Sequence, residues 1–184
     1  MASLLAACVV TRLHPDAGSV GTTAIDKQPV GGLVKIGRLG LYADVQADRK
    51  HHGGEEKAVY AYAAEDADWW MGQLQREVPP GWFGENLRVE GLDVSNARVG
   101  ERWRIGEGPG AVELEVTLPR TPCMTFARWV GEEEQSWVKR FSDARRLGAY
   151  LRVVHTGAVQ AGDRIEVIPA SPGAPTILDI YAGA

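Results

Sequence analysis

Short apolar or alternating runs, each four to nine residues long, recur along the chain. Leu4–Arg12, Gly32–Ile36, Lys57–Tyr62, Asn86–Val89, Arg102–Ile105, Val112–Leu118, Tyr150–His155 and Arg164–Ile168 all read as strands. The alternation is clearest from Val112 to Leu118, where every second side chain falls on one face of a half-buried strand. Glycine-rich turns separate the runs, and Gly106-Glu107-Gly108-Pro109-Gly110 is placed to close a hairpin. No helical pattern follows those five residues, so they read as a turn and not as a phosphate cradle.

Two stretches carry helical spacing instead. From Glu65 to Val78, residues Ala67, Trp70, Met71, Leu74 and Val78 share one face, and Glu65, Asp66 and Asp68 suit the positive end of the dipole. From Glu132 to Phe141, acids lead and Lys139 and Arg140 follow, again as a helix dipole favours. Many short strands with two helices predict a mainly β domain with flanking helices, built as a β-barrel or as a strongly bent sheet. The domain is expected over residues 1–168, and the Ala-, Gly- and Pro-rich stretch 169–184 as an extended or loosely docked tail.

Composition narrows the function classes. A chain of 184 residues, 45% apolar and 24% charged, has the length and balance of one soluble domain. A net charge of −4 argues against a nucleic-acid binder, which carries a basic surplus. No apolar run approaches the ~20 residues of a membrane span, and Ser3–Val10 lacks a basic leader, reading as a first strand and not a signal peptide. Cys8 and Cys123 are the two cysteines, which fits a reduced cytoplasm and excludes a disulfide scaffold or a cluster held by four cysteines of this chain.

Candidate chemistry lies where rigid turns meet strand ends. Pro119 ends the Val112–Leu118 strand, and Pro122 stiffens the turn before Cys123, with Arg120 between them. A thiol beside a fixed cation can be a metal ligand or nucleophile, or simply a small buried side chain; the residues alone leave both open. In His51-His52-Gly53-Gly54-Glu55-Glu56-Lys57, paired glycines can free backbone amides for a ligand, with His52 and Lys57 as further donors; a tight turn with a solvated charge run is the alternative. Zinc on His51, His52 and Cys123 is disfavoured, because adjacent strand residues point to opposite faces. Phe83, Gly84, Glu85 and Asn86 can hold a heterocycle by its edge, or Phe83 can plug the core while Asn86 caps a turn. Trp69, Trp70 and Trp82 read as packing before they read as a planar-substrate pocket.

Taken together, these segments resemble the MOSC domain, the C-terminal domain of molybdenum cofactor sulfurases, and in particular the small stand-alone bacterial proteins that reduce N-hydroxylaminopurines. The resemblance is carried by Lys27-Gln28-Pro29-Val30, Leu39 to Asp48, His52-Gly53-Gly54 with Lys57-Ala58-Val59, Gly81 to Leu87 with Gly91-Leu92, Pro119-Arg120 with Pro122-Cys123, and Gly157 to Asp163. It implies a MOSC-type β-barrel and a pterin-bound molybdenum whose protein ligand is the Cys123 thiolate. His52, Gly53, Gly54, Lys57, Phe83, Gly84, Asn86 and Arg120 would contact the molybdenum cofactor (Mo-molybdopterin). The implied activity is reduction of N-hydroxylated compounds to amines, with electrons from a separate reductase; a non-catalytic molybdopterin or persulfide-sulfur carrier is the alternative. Two departures stand out: the family's Gly-Asp reads Ala43-Asp44, adding a methyl where positive φ is expected, and a second Gly-Asp reads Gly100-Glu101.

Overall fold

The computed structural model describes residues 1–47, 53–131 and 134–183, without the side chains of residues 134 and 135. Its strands are β1 (Ser3–Val10), β2 (His14–Pro15), β3 (Thr22–Thr23), β4 (Lys27–Pro29), β5 (Val34–Gly37), β6 (Gly40–Leu41) and β7 (Val59–Ala63). They continue as β8 (Leu87–Glu90), β9 (Arg102–Ile105), β10 (Val112–Pro119), β11 (Ala149–His155), β12 (Gly157–Val159) and β13 (Ile165–Ile168). The described helices are α1 (Ala64–Leu74), α2 (Met124–Val130), α3 (Glu134–Ala144) and α4 (Ile177–Ala182).

The main sheet has eight strands in the order β13-β9-β10-β11-β7-β8-β1-β4, and a smaller sheet runs β12-β5-β6. The hairpin expected across residues 106–110 joins β9 to β10 in antiparallel register. Among the described strands only β7 and β8 pair in parallel, with α1 in the connection between them. Parallel neighbours need such a crossover, because a tight turn reverses direction.

The expected barrel is corrected to a curled open sheet. Its two sides approach where Ser3 bridges Arg164, supported by Leu4 N–H donating to Asp163 O at 2.9 Å and Gly162 N–H to Leu4 O at 2.8 Å. The partner of β1 at this seam is largely the turn at Gly162 and Asp163, not a strand. The β1–β13 ladder is therefore one isolated bridge, and among the described residues no continuous ring of strands forms.

Two apolar clusters fill the fold. Leu4, Val59, Leu87, Trp103, Leu114 and Leu151 pack inside the curl of the sheet. Tyr62, Trp70, Phe83, Phe126, Trp137 and Phe141 pack where α1, α2 and α3 cover it, with the Phe83 and Tyr62 rings stacked at 4.1 Å. The packing reading of the tryptophans holds: Trp70 is fully buried, Trp82 meets Phe83 edge-on at 4.9 Å, and the Arg146 guanidinium sits 4.8 Å over Trp69.

The helices differ from expectation in instructive ways. α1 stops at Leu74 because Gln75 turns left-handed at φ 51°, so Val78 packs from the following loop. The stretch after Cys123, to which the sequence pattern assigns no element, forms α2, which Gly131 ends at φ 81°. The tail is docked and not extended: Thr176 and Asp179 form a capping box, and α4 buries Ile177 and Leu178. Its Ile177 N–H bonds Ala97 O at 2.9 Å, fixing the tail to the domain.

Candidate active site

A cavity of about 470 Å³ opens beside the main sheet. Its walls come from the end of β10 with the first turn of α2, the start of β7, the 81–86 turn, the 44–47 loop and the segment from Asp16 to Ile25. Of the sequence-predicted residues, Lys57, Phe83, Gly84, Asn86, Arg120 and Cys123 all line it. Gly54 lines a neighbouring groove, where its N–H donates to Gln46 Oε1 at 3.1 Å, and Gly53 lines neither. His52, and His51 with it, lies outside the described residues.

Cys123 is the N-cap position of α2 and remains partly exposed to the cavity. The alternative of a thiol sealed in the core is thereby set aside. An Nη atom of Arg120 lies 3.7 Å from its sulfur, and the guanidinium packs 4.6 Å over the Phe126 ring. Arg120 is buried, yet its pKa is raised: burial opposes the charge, and the Cys123 sulfur with the Tyr60 and Tyr150 phenols outweighs it. Tyr60 donates to Leu147 O at 2.9 Å, and burial pushes its own pKa well up, so it lines the cavity as a neutral phenol.

The second wall is a buried network that sequence reasoning only partly saw. The Lys27 ammonium and Asp44 carboxylate form an ion pair, both side chains about nine-tenths buried. Asp44 also accepts from Val10 N–H at 2.9 Å and from Asn86 Nδ2 at 2.7 Å. Asn86 gives its other amide hydrogen to Cys8 O at 3.3 Å and accepts from Tyr60 N–H at 3.1 Å. Its donors are thus spent on joining β1, β7 and the 44–47 loop, which makes it a positioning residue more than a binder of a heterocycle. Glu85 is likewise internal, accepting from Gly81 N–H at 2.8 Å, Phe83 N–H at 3.0 Å and Arg88 Nε at 2.8 Å.

Lys57 reaches the cavity from a short 3-10 turn at Glu55–Lys57 and lies 5.7 Å over the Tyr150 ring. That turn is held by Thr117 Oγ1, which donates within reach of Glu56 O at 2.6 Å and Tyr150 O at 3.0 Å. On the opposite wall, Asp16 accepts from Arg128 Nε at 2.8 Å and Nη2 at 2.9 Å, and the Arg128 hydrogen bonds hold its carboxyl below the usual range. Sequence reading missed this pair because 112 residues separate its members.

Among the described lining residues the cations Lys27, Lys57, Arg120 and Arg128 face two carboxylates, Asp16 and Asp44, which are already paired with Arg128 and Lys27. Counted over these six side chains the charge is positive, which suits an anionic ligand. No three His, Cys, Asp or Glu side chains come together among the described residues. Among the described lining residues Cys123 is the one thiol, with the Met124 thioether beside it, so a metal held by that sulfur would bring most of its other ligands with it.

A curled β domain with one thiol at a cationic cavity defines a class, and the comparisons give it a family. The MOSC domain family model matches residues 48–166, and the chain belongs to that family. It is 35% identical over 146 residues to the uncharacterized protein YflK of Bacillus subtilis, covering 79% of this chain and 63% of that protein. It is 37% identical over 150 residues to protein YiiM of Escherichia coli, covering 79% of this chain and 64% of that protein. A Gibberella moniliformis protein named reductase is 31% identical over 157 residues, 80% of this chain and 26% of that one. The chain thus spans under two thirds of the length of these relatives. Among solved structures, YiiM from Geobacillus stearothermophilus superposes with a TM-score of 0.75 at 25% identity, covering 98% of this chain and 82% of that one. No helix among the described residues is long and apolar enough to cross a membrane.

Proposed function

We propose that this protein is a molybdenum-cofactor-dependent oxidoreductase that reduces N-hydroxylated compounds, such as hydroxylaminopurine-like bases, to amines. The observation that carries the reading is Cys123 on the cavity wall with Arg120 at 3.7 Å. Family membership and the reductase name of the fungal relative support an oxidoreductase role. The donor set fits the cofactor: one thiolate for the metal, surplus positive charge for a phosphate, and a volume within the range of small-ligand sites.

In this reading the Cys123 thiolate, a soft donor, would hold the metal. Arg120, its own position fixed by the Phe126 ring, would set a positive charge 3.7 Å from that sulfur, which favours the thiolate a metal needs. Lys57, on the cavity wall, would face the anionic part of the cofactor, and Asn86 holds the Lys27–Asp44 wall in place. When bound, the cofactor supplies two-electron oxygen-accepting chemistry. The overall change consumes two electrons and two protons as the N–O bond breaks, giving amine and water. The electrons would come from a redox centre outside residues 1–184, in this reading a separate reductase protein, because those residues carry two cysteines and no nucleotide-binding fingerprint.

The test is turnover. Full-length protein from a cofactor-producing host should convert N-hydroxyadenine to adenine with a chemically reduced viologen dye as donor, and Cys123→Ser should give no product. Product at an equal rate from Cys123→Ser would overturn the role of the thiol. Cofactor-loaded wild type with no turnover at all would favour a carrier.

A further inference from the structure

The segment from His14 to Ile25 is the outer wall of the cavity, and the proposed function leaves it unused. Its two-residue strands pair His14 with Thr23 and Pro15 with Thr22, and Asp16 N–H closes the loop on Gly21 O at 3.1 Å. The body of the segment contributes Gly18, Val20, Thr22 and Thr23 to the lining. So short a ladder cannot hold itself against a cavity; two-stranded ribbons are marginal on their own.

The ends of the segment are anchored by His14, edge-on to the Trp129 ring at 5.6 Å, and by buried Ile25; the loop between them is tied to α2 through one carboxylate. Asp16 accepts two parallel bonds from Arg128, one from Thr125 Oγ1 at 2.9 Å and one from Gly18 N–H at 3.0 Å. Thr125 and Arg128 stand on α2, which starts immediately after Cys123. The wall is therefore pinned within two residues of the thiol. The paired fork geometry fixes orientation as well as distance, which a single point charge does not.

We propose that Asp16 and Arg128 are the specificity-determining pair of this site: by clamping the His14–Ile25 wall to α2, they set the largest molecule that can reach Cys123. The proposal takes from the proposed function only that ligands approach this thiol. With the clamp intact, compact planar ligands enter and those with bulky substituents are refused. With the clamp broken, the wall swings on its short ladder and the size limit relaxes.

Two reagents of one chemistry and different size read this out: N-ethylmaleimide and N-(1-pyrenyl)maleimide, reacted with cofactor-free full-length protein. Modification at Cys123 is followed by peptide mass spectrometry. Because both reagents attack the same thiolate, their rate ratio cancels any change in its ionisation. The pyrenyl-to-ethyl ratio should rise at least tenfold in Asp16→Asn and Arg128→Leu, and less in Arg128→Lys. Gly18→Ala is an independent probe that removes no charge, since a Cβ there would stand 2.7 Å from the Asp16 carboxylate oxygen; it too should raise the ratio. If Arg128→Leu fails to fold, Asp16→Asn and Gly18→Ala carry the test. An unchanged ratio in folded variants, or equal acceleration of both reagents, would overturn the proposal. The outcome is independent of molybdenum, so it stands or falls apart from the proposed activity.

Discussion

The Arg120 guanidinium sits 3.7 Å from the Cys123 sulfur across one rigid Pro-Arg-Thr-Pro turn. A buried cation at that distance stabilises the thiolate, and the thiolate in turn raises the pKa of Arg120. Replacing Arg120 by Met removes the cation beside the sulfur and should therefore slow alkylation of Cys123 at neutral pH. Iodoacetamide kinetics on the full-length chain check it.

Cys8 is the contrasting thiol. It is fully buried, and burial, with the Glu85 charge adding to it, pushes its pKa up from 9.0 to about 12. Native protein should take up one equivalent of iodoacetamide at pH 8, and denatured protein two. The shift also has a stability consequence. Above pH 9 the unfolded chain ionises this thiol while the folded chain does not, so the unfolded state binds fewer protons and stability falls as pH rises. The slope approaches about 1.4 kcal/mol per pH unit. Thermal melts between pH 8 and 9, where the unfolded-chain thiol ionises ahead of Tyr60 and Tyr62, whose burial adds the same trend nearer pH 10, should fall less steeply with pH in Cys8→Ala.

Asp44 supports the other wall. It is paired with Lys27 and receives Asn86 and Val10, with both charged side chains mostly buried. Asp44→Ala leaves a buried ammonium uncompensated, a loss of about 3 kcal/mol or more. Urea unfolding of the variant checks this, and a loss under 1 kcal/mol would mean that Lys27 finds water instead.

The turn before Asp44 carries the family departure. Ala43 is exposed and holds φ 69°, so the methyl is accommodated at a backbone cost, not by altering the turn. Left-handed geometry costs an alanine about 1–2 kcal/mol, and glycine gives back roughly 0.5–1 of that in unfolded-chain entropy. Ala43→Gly should raise stability by about 0.5 kcal/mol. Gly40→Ala should do the opposite by several-fold more, because its Cβ would stand 2.2 Å from Ala58 O at φ 112°. Paired melting curves separate the two.

Much of this architecture is legible in local sequence. β9 and β10 begin where alternation places them, and the Arg120–Cys123 contact follows from a four-residue turn that two prolines stiffen. Closure of the sheet is not legible, because it depends on what meets β1 at Gly162 and Asp163, and strand patterns are silent on that. α2 is hidden by its brevity, seven residues directly after a Pro-Cys step. α4 is hidden by composition, although Thr176-Ile177-Leu178-Asp179 carries a capping-box signature that could have revealed it. Asn86 looks like a free amide in sequence and proves to be committed within the fold. Asp16 and Arg128 show no signal at all until the chain has folded.

The central claim is that one sulfur of this chain anchors the molybdenum cofactor, and metal content measures it most directly. Wild-type and Cys123→Ser proteins, purified from the same cofactor-producing host and matched for folding by circular dichroism, should differ. Wild type should carry close to one molybdenum per chain by mass spectrometry, and the variant a small fraction of it. Equal molybdenum in the two would contradict the account.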